Sequence, residues 1–349
     1  MSWLYEPDDN RHDLDESDIR SRPNPKGNRP RTKNRPQHKS APIGMVLGVD
    51  LGRYRVLLEG EERMVNATLA KELRKQGPVV GDHVALAGDT SETVGALARI
   101  VRIEPRTTLL RRSADDTDQV ERVIVANATQ MLIVVALANP EPRTRLVDRY
   151  LAAAFDAGLK PILCVTKTDL GDPSEFLANF AGLSIPVILT RSDEPSLEQL
   201  HAALAGEVTV TVGHSGVGKS TLVNMLVPDA NRATGHVNEV TGRGRHTSTS
   251  VRAIALEDGW IIDTPGVRSF GLGHIKIENL LKSFEDMDAI AKNCPRDCSH
   301  LAGSPDCALD EAIAAGTLGE NGFARLDSLR RLMGSLASAR AEGKQDPTD

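Results

Sequence analysis

Three short segments of this chain have the residue types and spacing to hold a nucleoside triphosphate. Gly213-His214-Ser215-Gly216-Val217-Gly218-Lys219-Ser220, followed by Thr221, is a glycine-rich turn ending in Lys-Ser. Its glycines let backbone N–H groups turn inward around phosphates, Lys219 is placed to reach the β- and γ-phosphates, and the Ser220 hydroxyl to ligate Mg²⁺. Asp263-Thr264-Pro265-Gly266 supplies an acidic residue for Mg²⁺, through water, and a glycine N–H for the γ-phosphate. Thr166-Lys167-Thr168-Asp169 addresses the base. The Asp169 carboxylate can accept from both N1–H and the 2-amino group of guanine, whereas adenine offers neither donor. An unpaired carboxylate costs roughly 1.5–3 kcal/mol per lost charge-assisted bond, so GTP is favoured over ATP.

The order of these segments is unusual, with the base motif before the phosphate loop. An open parallel sheet puts its ligands in loops at the carboxyl ends of its strands, so a site depends on which loops converge in space. The chain reads as a circularly permuted GTPase. Thr166 stands where the base motif usually has Asn, removing an amide that ties the base loop to the phosphate loop. Thr190-Arg191-Ser192-Asp193 occupies the place of a further base-side loop, but its residue types are generic.

Between the phosphate loop and Asp263 lies Gly242-Arg243-Gly244-Arg245-His246-Thr247-Ser248-Thr249-Ser250. Such a glycine-, base- and hydroxyl-rich segment suits a switch that orders on γ-phosphate and Mg²⁺, one of Thr247, Ser248 or Thr249 joining the metal. After Gly266 the chain has Val267, which cannot orient water. His246 is the candidate to do so.

A second constellation is Cys294-x3-Cys298-x-His300-x6-Cys307. Three thiolates and an imidazole complete a tetrahedral Zn²⁺ set with no position left for water, so the ion is expected to be structural. Only four cysteines occur; the fourth, Cys164, sits in an apolar run and reads as core.

The elements that position these groups follow from the apolar pattern. Residues 43–104 hold about five short alternating strands separated by glycine and acidic turns, as in a small OB-type barrel. Tyr54 is the only aromatic there, so any nucleic-acid contact rests on backbone and shape rather than base stacking. From Val120, apolar strands at 131–135, 161–165, 186–190 and 208–212 alternate with helices at 144–157 and 197–204, and strands at 251–256 and 260–262 pair before Asp263. That pattern means a covered, mainly parallel sheet. Beyond Gly273 the sequence turns helical, with an apolar stripe at Leu326, Leu329, Met333 and Leu336. Arg325 and Arg330 flank that stripe and Arg331 lies on the far side, a possible RNA-facing surface.

At 349 residues two or three domains are natural. The expected division is a disordered basic arm at 1–40, an OB-fold barrel at 41–105, an α/β circularly permuted P-loop GTPase domain at 106–273, and a helical zinc-binding module at 274–349. The net charge of −6 is uneven: residues 20–39 carry eight Arg or Lys and no acid. Such a run suits phosphate backbones through counterion release. The longest apolar run, Met131–Ala138, is too short to cross a bilayer and no export pattern opens the chain, so a cytoplasmic protein without membrane contact is expected.

Taken together, the base motif, residues 213–221, the 242–250 loop with His246, Asp263–Leu272 (Asp-Thr-Pro-Gly-Val-Arg-Ser-Phe-Gly-Leu) and the Cys/Cys/His/Cys set closely resemble the ribosome small subunit-dependent GTPase A family, RsgA, over about residues 43–310. The resemblance implies the 30S subunit and its 16S rRNA as partners, a monomer, a role in late 30S maturation, and hydrolysis of GTP to GDP and phosphate stimulated by 30S. It also implicates His246 in hydrolysis. Thr166 and the three-residue spacing between the first two cysteines, where four is common, depart from the family pattern. The alternatives are a GTPase of similar core acting on another ribonucleoprotein, and an RNA-binding adaptor that senses GTP without useful turnover.

Overall fold

The computed structural model describes residues 38, 40–61, 63–73, 77–91, 93, 95–113, 121–227, 251–264 and 275–342, apart from the side chains of 112, 113, 121 and 337–342. The expected basic arm apart from His38 and Ser40, the 242–250 loop with His246 and Thr247, and Gly266 lie outside these residues, as does the polar tail from 343.

Strands β1 (Ile43–Asp50), β2 (Arg53–Leu58), β3 (Met64–Leu69), β4 (His83–Gly88) and β5 (Ala98–Ile103) run in the order β1-β2-β3-β5-β4, and β4 returns to pair with β1. This is a closed five-stranded barrel. Closure follows from period-two patterning: Tyr54, Val56 and Leu58 of β2 point inward with Val46, Val65, Ala67, Val84, Leu86 and Ile100, while Arg53 and Arg55 face out. Arg106 ties the barrel to the segment that leads out of it, its guanidinium gripping the fully buried Asp82 carboxylate through two hydrogen bonds of 2.6 and 2.7 Å. Gly81 is obligatory at this seam, since a Cβ there would lie 2.0 Å from the Ala126 carbonyl oxygen.

A hairpin of β6 (Leu109–Ser113) and β7 (Glu121–Ala126) comes next, which the apolar pattern does not foretell. Then β8 (Gln130–Ala136), β9 (Lys160–Thr166), β10 (Val187–Leu189), β11 (Glu207–Val212), β12 (Arg252–Ala255) and β13 (Gly259–Asp263) assemble in the order β10-β9-β8-β11-β13-β12. All neighbours are parallel except the β12–β13 pair. Every residue of β8 is buried because both sheet faces are covered. Leu132, Val134 and Ala136 meet α3 (Leu197–Leu204) and α4 (Lys219–Leu226) on one side. Met131, Ile133 and Val135 meet α1 (Thr144–Asp156) on the other. A short α2 (Ser174–Ala178) follows β9. Antiparallel pairing of β12 with β1 joins the barrel strands and the mainly parallel strands into one eleven-stranded sheet.

The carboxyl-terminal region holds α5 (Ile277–Lys282), α6 (Glu285–Ala291), α7 (Ala308–Ala314) and α8 (Gly322–Glu342). Leu326, Leu329, Leu332, Met333 and Leu336 of α8 are all buried against the α1 side of the core. The arginines beside that stripe do not form an open RNA-facing surface. Arg325 is bidentate to Asp286 at 2.5 and 2.7 Å, and Arg330 donates to Asp310 and to the His300 carbonyl. Arg331 reaches the buried Asp148 of α1 and stacks 5.3 Å from the Phe180 ring centre. Carboxylates on neighbouring helices, invisible to a one-helix reading, claim all three. Among the described residues no helix is long and apolar enough to cross a membrane.

Candidate functional site

The phosphate loop leaves the carboxyl end of β11, and α4 begins at Lys219. Gly216 and Gly218 sit at φ +84° and +93°, a region open to glycine, and a Cβ on Gly213 would meet the Val134 carbonyl oxygen at 2.5 Å. The loop can therefore be made only of these residues or their like. Ser220 and Thr221 stand exposed on the first turn of α4, the end where the helix dipole favours anions. The His214 ring, through Nδ1, donates to the Ser215 carbonyl at 2.9 Å, and Val217 is buried beneath the loop.

Strand β13 parallels β11, which sets Asp263 beside Thr211 at the same end of the sheet. The Lys219 ammonium donates to Asp263 Oδ1 at 3.0 Å and to the Thr264 carbonyl at 3.1 Å, with both charged side chains largely shielded from solvent. Thr264 is fully buried and its hydroxyl donates to the Thr211 carbonyl at 2.6 Å, locking the turn that follows Asp263. Lys219 and Asp263 thus share one site.

The base loop converges on the same turn. Strand β9 ends at Thr166, whose buried hydroxyl lies 2.6 Å from the Val217 carbonyl and 3.3 Å from that of Val135. A hydroxyl has one proton, and the shorter contact takes it. The tie expected to be lost with the Asn-to-Thr departure is present, made by oxygen where an amide nitrogen would have served. Lys167 follows in a left-handed conformation, φ +56°, which turns the chain into the 3₁₀ turn at Thr168–Leu170. Its ammonium donates to the Gly216 carbonyl at 3.1 Å and to that of Asn139.

Asp169 Oδ1 accepts from the Ser192 backbone N–H at 2.8 Å. That bond holds the Asp169 carboxyl below the usual carboxylate range, so it is ionised and acceptor-only at neutral pH. The generic loop at 190–193 therefore orients the Asp169 carboxylate. Position after β10 is its only sequence signal, because a backbone N–H leaves no trace in residue type.

The Cys294, Cys298, His300 and Cys307 donor atoms all lie within 4.8 Å of one another. Ligands of a tetrahedral zinc at bond lengths of about 2.0–2.3 Å lie roughly 3.3–3.8 Å apart, so the set fits after slight contraction. His300 reaches its place through a left-handed backbone, φ +57°. Burial, and then the Arg330 guanidinium, lower its pKa, favouring the neutral ring that metals bind. The Ala308 N–H donates to Cys294 Sγ at 3.3 Å, and Arg330 holds the His300 carbonyl at 2.9 Å. Burial raises the Cys294 thiol to about 11, so in the metal-free cluster it keeps its proton.

Residues 103–273 match the family described as RsgA GTPase. A small ribosomal subunit biogenesis GTPase RsgA of Nitrosospira multiformis is 35% identical over 325 residues, covering 91% of this chain and 99% of that protein. The protein of that name from Pseudomonas fluorescens is 36% identical over 290 residues, 80% of this chain and 81% of its own length. The crystal structure of YloQ, a circularly permuted GTPase, superposes with a TM-score of 0.61 at 26% identity, covering 90% of this chain and 99% of that one.

Proposed function

The chain belongs to the RsgA GTPase family, whose members are GTP hydrolases, and from that premise we propose that it binds the 30S ribosomal subunit through 16S rRNA and acts in its late maturation. It hydrolyses GTP to GDP and phosphate, faster on 30S than alone. The observation that carries this reading is the meeting of base loop and phosphate loop: Thr166 on Val217 and Lys167 on Gly216. Loops in permuted order can serve one nucleotide only if they touch, and these do.

In this reading Asp169 selects guanine, with Thr166, Lys167 and Thr168 shaping the base pocket. Backbone N–H groups of residues 213–218 cradle the phosphates, and Thr221 completes the first helical turn. Lys219, now on Asp263 and Thr264, swings to the β- and γ-phosphates when they arrive. Ser220, one of Thr247, Ser248 or Thr249, and Asp263 through water would hold Mg²⁺, which when bound neutralises phosphate charge as it builds during transfer. Gly266 faces the γ-phosphate, and His246 orients the attacking water where Val267 cannot. Cys294, Cys298, His300 and Cys307 hold one structural zinc, whose charge organises a loop too small to be held by core burial. The arm at 1–40, the barrel at 41–105 and the module at 274–349 dock on rRNA around the GTPase domain at 106–273, and the protein works as a cytoplasmic monomer.

The test is GTP turnover with and without purified 30S. Turnover raised by 30S supports the proposal. Stimulation by 50S or free RNA instead would assign the chain to another ribonucleoprotein, and absence of turnover under every condition would make it a GTP-sensing adaptor.

A further inference from the structure

A single row of backbone-paired residues runs from the GTPase site into the barrel. Thr211 pairs with Asp263, Asp263 with Arg252, Arg252 with Gly48, Gly48 with Arg55, and Arg55 with Asn66. Directly paired residues put their side chains on one face of a sheet, so Arg252 and Arg55 stand on the same face with Gly48 between them. Gly48 carries no side chain there: a Cβ would lie 3.3 Å from Arg55 Nη2 and 3.4 Å from Nε. The Arg55 guanidinium thus lies over the bare backbone of β1 at Gly48.

Two guanidiniums are brought together across the barrel–GTPase junction, and among the described residues neither has a hydrogen bond or ion pair with a carboxylate. Two acids lie nearby: Asp50, whose charge offsets only part of the effect on Arg55 of burial and of Arg252, and Asp263, the cross-strand neighbour of Arg252, whose carboxylate is bound by Lys219 at 3.0 Å. Next in the same face come Arg53 and Thr68, a cross-strand pair, and Arg99, paired with Thr68. Arg53 and Arg99 are exposed. Like charges placed side by side, with neither guanidinium ion-paired and the Asp263 carboxylate taken by Lys219, suit an external anion, and arginine forks match phosphate oxygens.

We infer that Arg55 and Arg252 together clamp one backbone phosphate of RNA over Gly48, at the junction of barrel and GTPase sheet. The inference deepens the ribosomal reading above and rests on it for the identity of the RNA. Arg252 opens the strand that leads out of the 228–250 segment and pairs with Asp263, so a phosphate held there fastens β12 to β1 beside the metal-binding aspartate. The clamp is the contact through which docked RNA reaches the GTPase site.

The test uses the full chain and the variants Arg55→Gln, Arg252→Gln and the double variant, titrated from low to moderate salt against 30S and against a generic RNA duplex. Each single variant should weaken binding with little change in the slope of log affinity against log salt, because the remaining arginine still neutralises the phosphate, and the double variant should flatten the slope by about one, the value for one lost phosphate. Stimulated GTP turnover should fall several-fold while turnover without RNA is unchanged. A double-variant slope equal to that of the parent overturns the inference while leaving the ribosomal reading intact, and a drop of about two overturns the shared site. If the parent chain fails to bind 30S, the ribosomal reading falls, and the duplex titration alone decides the clamp by the same slopes.

Discussion

The Thr166 hydroxyl donates to the Val217 carbonyl at 2.6 Å, both groups buried, so the last residue of β9 is fastened to the middle of the phosphate loop. Thr166→Val keeps the shape and removes the donor, leaving a buried carbonyl without a partner at a cost of about 1–3 kcal/mol. GTP affinity is expected to fall by about tenfold, read with a fluorescent GTP analogue. Unchanged affinity would mean the two loops hold together by packing alone.

Asp169→Asn should move preference from GTP toward xanthosine triphosphate. The new side-chain oxygen can still accept from Ser192, while its amide donates to the 2-carbonyl that replaces the amino group. Competition between the two nucleotides reads it directly, and a preference that stays with GTP would remove Asp169 from the base pocket. The pH dependence has a definite sign. The Ser192 N–H lowers the folded pKa, so the ionised form is favoured above the ordinary aspartate value and lost only as pH falls through the lower folded one. GTP-over-ATP selectivity should be flat from pH 8 to pH 5.

His246→Ala is expected to depress 30S-stimulated turnover by a factor of about 10²–10³ while leaving GTP binding nearly intact, as for loss of a group that acts on the attacking water. Parallel loss of binding and turnover would make His246 a structural residue.

Metal removal by a chelator should lower the melting temperature and loosen α7 and α8 first, seen as faster amide exchange there, since Cys307 precedes α7 and Arg330 of α8 holds the His300 carbonyl. Cys298→Ser should reproduce the effect. A cluster that binds no zinc by elemental analysis would defeat both expectations.

Arg331→Ala strands the Asp148 carboxylate, which is 1% exposed. Breaking a buried pair costs about 3–5 kcal/mol, and the lower end applies because Arg331 keeps some solvent contact. Burial already raises the Asp148 pKa against the pull of Arg331. A raised folded pKa favours the protonated acid, so its contribution to stability is present at low pH and is lost as pH rises through the folded value. The deficit of the variant should therefore narrow as pH falls from 7 toward 4. A deficit independent of pH would assign the loss to the Phe180 stack instead.

Much of this architecture is legible in residue order alone. Period-two runs mark the barrel strands, and the buried run at 131–135 marks the central strand of the GTPase sheet. Glycines at 213, 216 and 218 announce a turn that no other residue makes. What escapes is what residue type does not encode. The β6–β7 hairpin is short, with an arginine pair at 111–112 that breaks its apolar pattern. The Ser192 contribution is a backbone N–H. The hydroxyl of Thr166 reads as a missing amide, because a motif specifies a residue and the fold asks only for a donor. The arginines of α8 mislead because their partners, Asp148, Asp286 and Asp310, lie on three other helices.

Strand order has a last consequence, for the ribosome that makes this chain rather than the one it serves. Synthesis runs from the amino terminus, and elements tend to fold as they emerge. Here β8 and β9, with the Asp169 turn, are complete while Lys219 and Asp263 are still untranslated. A nascent copy cannot bring Lys219 and Asp263 together until β13 has slotted in beside β11, so this meeting waits for nearly the whole central sheet.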